Sequence, residues 1–400
     1  MNNLIIFNII VVLFLIINIK IIKCEIEETP LCLKCSCTSD ENGPEVDIDC
    51  TDDMLTLEFI YDQRNWINTT TNHTYYISTL NLKSSDLGDL RGQFPESNLT
   101  LLDFTDNLIR TIDDNYFAKL QNMSELVLTR NEIDRLKPDA FKGLRMDGDN
   151  YPLRSLKILK LNKNRLHTLH QDLFEHIEER LEVLDLSDNP FKVLDQQTTI
   201  AIGGIIYLKE LYLGSTQIKK LPEHFLHTPK YLKVLDLSGN NFIEVPETLN
   251  DSHVLEVLYF NNNPIVNLTK DSGFPSISTL KVLHMCNMLE LQLIGEKSMN
   301  GLTSLEEVHI CNNNLLQEID AGAFTREEFE TEIWPPIKKL HLRDNKLTNL
   351  DRHLILHWEN LNDLDLRFNP WTCECENEWM VDVLMPIYLN INETLAKTLQ

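Results

Sequence analysis

The stretch LKVLDLSGNNFIEV (232–245) decides how this chain folds. Leu235 and Leu237 lie two residues apart with Asp236 between them, the period of a short strand that keeps one face inward. Asn240 follows the strand, and Phe242 and Val245 resume the apolar pattern beyond it. The same arrangement returns in LEVLDLSDNPFKVL (181–194) and IKKLHLRDNKLTNL (337–350). Counted from its first apolar position, it starts at Ile77, Leu99, Met123, Leu156, Leu181, Leu208, Leu232, Leu255, Leu280, Leu305, Ile337 and Leu361. Twelve copies, most of them 22 to 27 residues apart, describe a stacked repeat, because no single copy can bury its own apolar face.

Stacked in parallel about 4.8 Å apart, the copies share one leucine column, each buried leucine contributing roughly 1.5–3 kcal/mol. An asparagine follows most strands: Asn107, Asn131, Asn164, Asn189, Asn240, Asn263, Asn313, Asn345 and Asn369. Facing inward, its amide can satisfy turn backbone groups of its own and adjacent copies. Ser85, Thr216 and Met288 replace it in three copies, and the methionine copy, unable to serve those groups, is expected to be irregular. Phe117, Phe141, Phe174, Phe225 and Phe324 are placed to form a second core column. Extra residues near 145–153, 195–207 and 325–336 are expected to bulge as loops on the outer side or edge.

Composition narrows the function classes. The 400 residues carry a formal charge of −25, which repels phosphate backbones and anionic lipid and favours basic or neutral partners. With 42% hydrophobic residues and 13 glycines, the chain is neither a linker nor collagen-like. No G-x-S-x-G, H-E-x-x-H, P-loop or kinase signature occurs, and pairs such as His170/Asp172 or Glu175/Glu178 read as solvated outer charge. The expectation is a protein that is no enzyme, with no cofactor and no metal.

Leu4 to Ile19 is apolar apart from Asn8 and Asn18, a run shorter than the roughly 20 residues a spanning helix needs. It reads as the core of a signal peptide over 1–24, with an uncleaved anchor as the alternative because Lys20 and Lys23 follow the run. Eight cysteines remain beyond Cys24, an even number that suits disulfides in an oxidising compartment; a zinc site in the first four is the competing reading. Sequons stand at Asn68, Asn72, Asn98, Asn122, Asn250, Asn267 and Asn392, candidates for glycan in an exported chain.

Over residues 77–370 the repeat resembles the extracellular leucine-rich repeat family. The resemblance implies an α/β fold class: a leucine-rich repeat solenoid of about twelve repeats, curved into a horseshoe with a parallel β-sheet on the concave face. CLKCSCTSDENGPEVDIDC (32–50) looks like that family's amino-terminal cysteine cap, which would pair Cys32 with Cys37 and Cys35 with Cys50; spacing alone leaves the connectivity open. NPWTCECENEW (369–379) looks like the start of its carboxy-terminal cap, whose two later cysteines do not follow before Gln400. Cys373 and Cys375 are too close to bond each other comfortably, which leaves a truncated sequence or a bond to another chain. The expected organisation is a signal peptide (1–24), a cysteine-rich cap with a first irregular turn (25–76), the repeats (77–370) and an incomplete cap (371–400).

Residues between the inward leucines of each strand face out of the concave side, where proteins of this family hold ligands. From the fifth copy on, one such column reads Asp185, Tyr212, Asp236, Tyr259, His284, His309, His341, Asp365. Alternating acid and tyrosine suits a basic, partly apolar protein ligand. Beside the histidines, Cys286 and Cys311 occupy matching positions, and a disulfide, two free thiols and a two-His, two-Cys zinc site are all open. Protonation of His284, His309 and His341 below about pH 6.5 is expected to weaken a basic ligand's hold. The resemblance implies a secreted or cell-surface protein-binding molecule of adhesion, receptor-ectodomain or matrix type. The rival is innate-immune recognition of microbial products by a Toll-like ectodomain. Expected partners are an extracellular protein and no nucleic acid, with a homodimer or cysteine-linked partner through the carboxy-terminal cap as an alternative.

Overall fold

Each copy contributes one short strand, and the parallel register between neighbours keeps every inward leucine on the same line. In the computed structural model, which describes residues 29–39, 45–52, 55–68, 72–143, 145–146, 149–150, 153–329, 331–358 and 360–391, these twelve strands and two from the amino-terminal segment form one sheet of 14. The expected signal peptide and Asn392 lie outside the described residues. Leu211, Leu235, Leu258 and Leu283 pair across successive strands and are fully buried. The protein is a parallel-sheet solenoid with a single continuous core.

The asparagines do what their spacing requires. Asn189 Nδ2 donates to the carbonyls of Leu161 in the preceding turn (2.9 Å) and Leu186 in its own (2.9 Å), while its Oδ1 accepts from Leu166 N (3.0 Å). Asn107, Asn131, Asn164 and Asn240 repeat the pattern. A buried polar group is thereby bonded on both sides of the turn, which removes the penalty its backbone neighbours would otherwise incur.

At Met288 the expected irregularity does not reach the sheet. The strand Val282–His284 pairs in register with both neighbours. The adjacent asparagines cover the loss: Asn313 Oδ1 accepts from Met288 N (2.7 Å) and Asn313 Nδ2 donates to Met285 O (3.1 Å), while Asn263 Nδ2 serves Phe260 O (3.1 Å). Each carbonyl in the ladder is reached from two turns, so one missing amide leaves one donor in place. The same three turns carry a small second sheet on their outer side, Asn267–Leu268, Leu293–Ile294 and Glu318–Ile319.

Three of the five phenylalanines stack, Phe117 on Phe141 at 6.3 Å between ring centroids and Phe141 on Phe174 at 6.4 Å; Phe225 and Phe324 are buried outside that stack, Phe324 edge-on to Trp358. Outer segments are mostly turns, so the helical layer of an α/β fold is thin here. The described parts of the three insertions carry regular structure. Arg145–Met146 pairs antiparallel with Asp149–Asn150 and Arg326–Glu328 with Thr331–Ile333, and the middle insertion holds the helix Gln196–Gly203. Asp195 caps that helix by accepting from Thr198 N (2.8 Å), and Ala201 and Ile202 bury its inner side.

Both ends of the core are covered. At the amino end Cys32 is bonded to Cys37 and Cys35 to Cys50, and the strand Ser36–Ser39 runs antiparallel to Val46–Asp49, which joins the repeat sheet beside Ile77–Asn81. Trp66, fully buried, packs edge-on against Phe94 and donates its Nε1–H to Ile60 O (2.6 Å). At the carboxy end a π-helical turn, Met380–Leu384, leads into the helix Met385–Ile391, and Leu384 and Tyr388 close over the last strand. Cys373 and Cys375 are exposed and unbonded among the described residues.

Candidate functional site: the concave face

Parallel pairing places Asp185, Tyr212, Asp236, Tyr259, His284, His309, His341 and Asp365 opposite one another in a single row. All follow a fully buried leucine or valine, so the pleat turns them outward. The row divides into three chemically distinct parts.

The acidic part carries its carboxylates without cationic partners. Asp185 Oδ1 accepts from Ser187 N and Oγ (3.0 and 2.6 Å), and Asp236 Oδ1 accepts from Ser238 N (2.8 Å). Among the described residues no lysine or arginine is paired with Asp185, Glu210 or Asp236. Burial pushes the Asp185 carboxyl above the usual range despite the Ser187 bonds, and the charge of Asp236 adds to the effect. Tyr212 donates its hydroxyl to Glu210 Oε2 (2.7 Å); burial and that bond raise its phenol.

The ring part is a ladder. Tyr259 stacks on His284 (4.7 Å between centroids), His284 on His309 (4.3 Å), and His341 meets His309 edge-on (4.6 Å). Burial first, then the neighbouring His309, push His284 down to about 4. His309 is also lowered by burial, although its Nε2 lies 2.7 Å from Glu307 Oε1. His341 Nε2 lies 3.0 Å from Asp363 Oδ2, without the alignment of a hydrogen bond. The expected protonation of all three near pH 6.5 is therefore corrected: His284 stays neutral well below that value, and His309 is shifted in the same direction. Packing ring on ring removes the water that would solvate the imidazolium.

At its end the row is already neutralised. Arg367 grips Asp365 through Nε (2.8 Å) and Nη2 (2.7 Å), and this pairing holds the carboxyl below its usual range against the effect of burial. Asp365 is thus not a free acid for a basic ligand. Two residues beyond the histidines, Cys286 and Cys311 are joined by a disulfide, and bonded sulfurs cannot serve as thiolate ligands to zinc.

A second outward column escaped the sequence reading. Val183, Glu210, Val234, Val257, Val282 and Glu307 pair in order beside the first row, and the valines are half-buried. The same alternation that exposed the first column marks this one, one position before the second leucine. Along the strand edge, Glu182 bridges Lys157 and Lys209, and Glu256 bridges Lys233 and Lys281, at 2.7 to 3.8 Å. None of the sequon asparagines among the described residues stands in either column. Asn72, Asn122, Asn250 and Asn267 are exposed elsewhere, and Asn68 and Asn98 are half-buried.

A family model described as leucine rich repeat matches residues 97–146 and 206–265. The repeats of this chain are leucine-rich repeats. Among curated relatives, mouse podocan is 30% identical over 210 residues, covering 51% of this chain and 31% of podocan. Mouse mimecan is 29% identical over 239 residues, covering 48% of this chain and 71% of mimecan. Both are extracellular leucine-rich repeat proteins, and the bonded amino-terminal cysteines fit a cap of that kind. Among solved structures, the Toll–Spätzle complex of Drosophila shares the fold, with a TM-score of 0.56 at 18% identity, covering 84% of this chain and 47% of the other.

Proposed function

We propose that this is an exported, non-enzymatic binding protein whose concave face holds another extracellular protein, basic or neutral in charge. The observation that carries the reading is the run Asp185, Glu210, Tyr212, Asp236 and Tyr259, which combines unpaired carboxylates, half-buried rings and neighbouring valines on one surface. Aromatic rings supply contact area at low entropic cost, and the carboxylates steer a cationic partner. The sequons among the described residues leave this surface clear while standing on other sides of the molecule, which suits a glycoprotein with a protein-binding face. Disulfides at the amino-terminal cap and on the concave face suit an oxidising compartment. Adhesion, receptor or matrix roles all fit this description. So does the Toll-like alternative, with a microbial product in place of the protein ligand.

The test is a glycan wedge. Asp236→Asn turns residues 236–238 into an N-x-S sequon in the middle of the concave face, and Lys270→Asn does the same at 270–272 on an exposed outer segment. A panel of extracellular proteins is screened for binding to the unaltered chain made in a glycosylating host, then to both variants. The outer glycan should leave a captured partner bound and the concave one should displace it. Displacement by neither, or by the outer glycan instead, refutes the reading.

A further inference from the structure

Within the proposed binding face, one carboxylate differs from the rest. Asp103 lies 3.3 Å from Lys83, Asp365 is gripped by Arg367, and Asp185 Oδ1 takes both the backbone and the hydroxyl of Ser187. Asp236 accepts from Ser238 N alone among these donor types; the Ser238 hydroxyl, which accepts from Asn261 Nδ2 (3.3 Å), makes no bond to it. Its second oxygen leans over Gly214: a Cβ built there would stand 3.1 Å from Asp236 Oδ2. Every other copy carries a side chain at that position, from Lys83 to Arg367. The missing side chain lets the Asp236 carboxylate lie low against the neighbouring strand.

The strands on either side of Asp236 present Tyr212 and Tyr259 in register with it. Two strand spacings separate these rings by about 10 Å at the backbone. Each ring is held by a partner other than Asp236: Tyr212 through its hydroxyl to Glu210 and Tyr259 by stacking on His284. A flat cation placed midway would lie about 5 Å from each ring, within the range of cation–π attraction. Directly beneath it is an acid with an oxygen free.

We infer that Tyr212, Asp236 and Tyr259 form a slot for one arginine side chain of the partner. The guanidinium is planar, weakly hydrated and able to meet a carboxylate while stacking on rings, whereas a lysine ammonium is a compact, strongly hydrated point charge. The slot therefore prefers arginine to lysine, which a diffuse acidic surface would not. Glu210 and Asp185 add field without touching the cation, Glu210 by fixing Tyr212 and Asp185 from two strands away.

This inference rests on the protein-binding reading above, and its test separates the two. The full-length chain is titrated with N-acetyl-L-arginine methylamide and, separately, N-acetyl-L-lysine methylamide, using ligand-observed saturation-transfer NMR. The arginine probe should bind at least about threefold more tightly than the lysine probe. Asp236→Ala, Tyr259→Ala and Gly214→Ser should each weaken it about fivefold or more, with circular dichroism unchanged, whereas Asp365→Ala should leave it unaltered. Equal binding of the two probes, or arginine binding retained by Asp236→Ala and Gly214→Ser alike, overturns the slot. If the glycan at 236 still displaces a protein partner from a chain with no arginine preference, the slot is refuted and the binding face stands.

Discussion

His284 lies flat on His309, their centroids 4.3 Å apart and their planes 1° from parallel, at the centre of the ring ladder. Two imidazolium ions cannot be stacked at that distance without strong repulsion, so the arrangement requires neutral rings. Tyr259 on one side and the edge of His341 on the other cover the two ends of the stack, leaving the rings half-buried.

The neutrality of His284 has a sign that can be measured. Its pKa of about 4 in the folded state lies below the ordinary value of 6.5, so between these values the unfolded chain binds more protons than the folded one. Stability should therefore fall as pH drops from about 6.5 towards 4, by on the order of 2 kcal/mol once solvent screening is allowed for. Chemical denaturation of the chain and of His284→Gln at pH 7 and 5 tests this, and the variant should lose part of the acid dependence. A His284 titration midpoint near 6.5 by NMR would contradict it. Partner binding should not weaken between pH 7.4 and 5.5 through His284.

A covalent link reinforces the same two strands. The Cys286–Cys311 bond closes a loop with a sequence separation of 25. A loop of that size contributes about 3 kcal/mol in the chain-entropy description. Cys286→Ala/Cys311→Ala should accelerate amide exchange in the strands Val282–His284 and Glu307–His309. Exchange in the strands Leu101–Asp103 and Glu125–Val127 should be unaffected, because a solenoid couples near neighbours most strongly. Uniform acceleration along the whole sheet would show that the bond acts on global rather than local opening.

The repeat, its register, the outward row and the inward asparagines were legible in the sequence because they follow from one period repeated. Once Leu235 and Leu258 share a line, Asp236 and Tyr259 must share the next. Features that depend on contacts outside that period were not legible. The grip of Arg367 on Asp365 joins the last residue of a strand to one two positions beyond it, whereas Asp344 and Lys346, at the same spacing, form no such pair. The helix Gln196–Gly203 lies in an insertion with no counterpart in other copies, although Asp195 before it is a capping signal. The depressed His284 depends on stacking between rings, which a column of letters places side by side without fixing their tilt.

Asparagine and methionine at the turn position give a reciprocal pair of tests. Asn240→Met removes the acceptor for Thr216 N (3.0 Å) and Ile218 N (3.2 Å) and one donor each to Leu213 O and Leu237 O. It should cost about 2–4 kcal/mol. Met288→Asn restores a standard ladder member and should cost less than about 1 kcal/mol or be stabilising, since Asn263 and Asn313 already hold the turn open for it. Urea unfolding of both variants decides the matter. Equal losses would mean that packing volume, rather than hydrogen bonding, sets this position.

The paired lysines beside the acidic patch make the last prediction electrostatic. Lys209 and Lys233 are half exposed and bridge Glu182 and Glu256 at 2.7 and 2.8 Å. Exposed pairs of this kind contribute about 0–1 kcal/mol, so Lys209→Ala/Lys233→Ala should change stability by less than about 1 kcal/mol. The same substitutions remove two positive charges next to Glu210 and Asp236, leaving Glu182 with Lys157 and Glu256 with Lys281. Association of a cationic protein partner should then quicken several-fold at low ionic strength, while dissociation changes little. The gain should vanish as the Debye length shrinks to about 3 Å near 1 M salt. Stopped-flow association rates across a salt series measure both effects. A slower association in the variant would mean that the lysines themselves contact the partner, and that the face is read by acids and bases together.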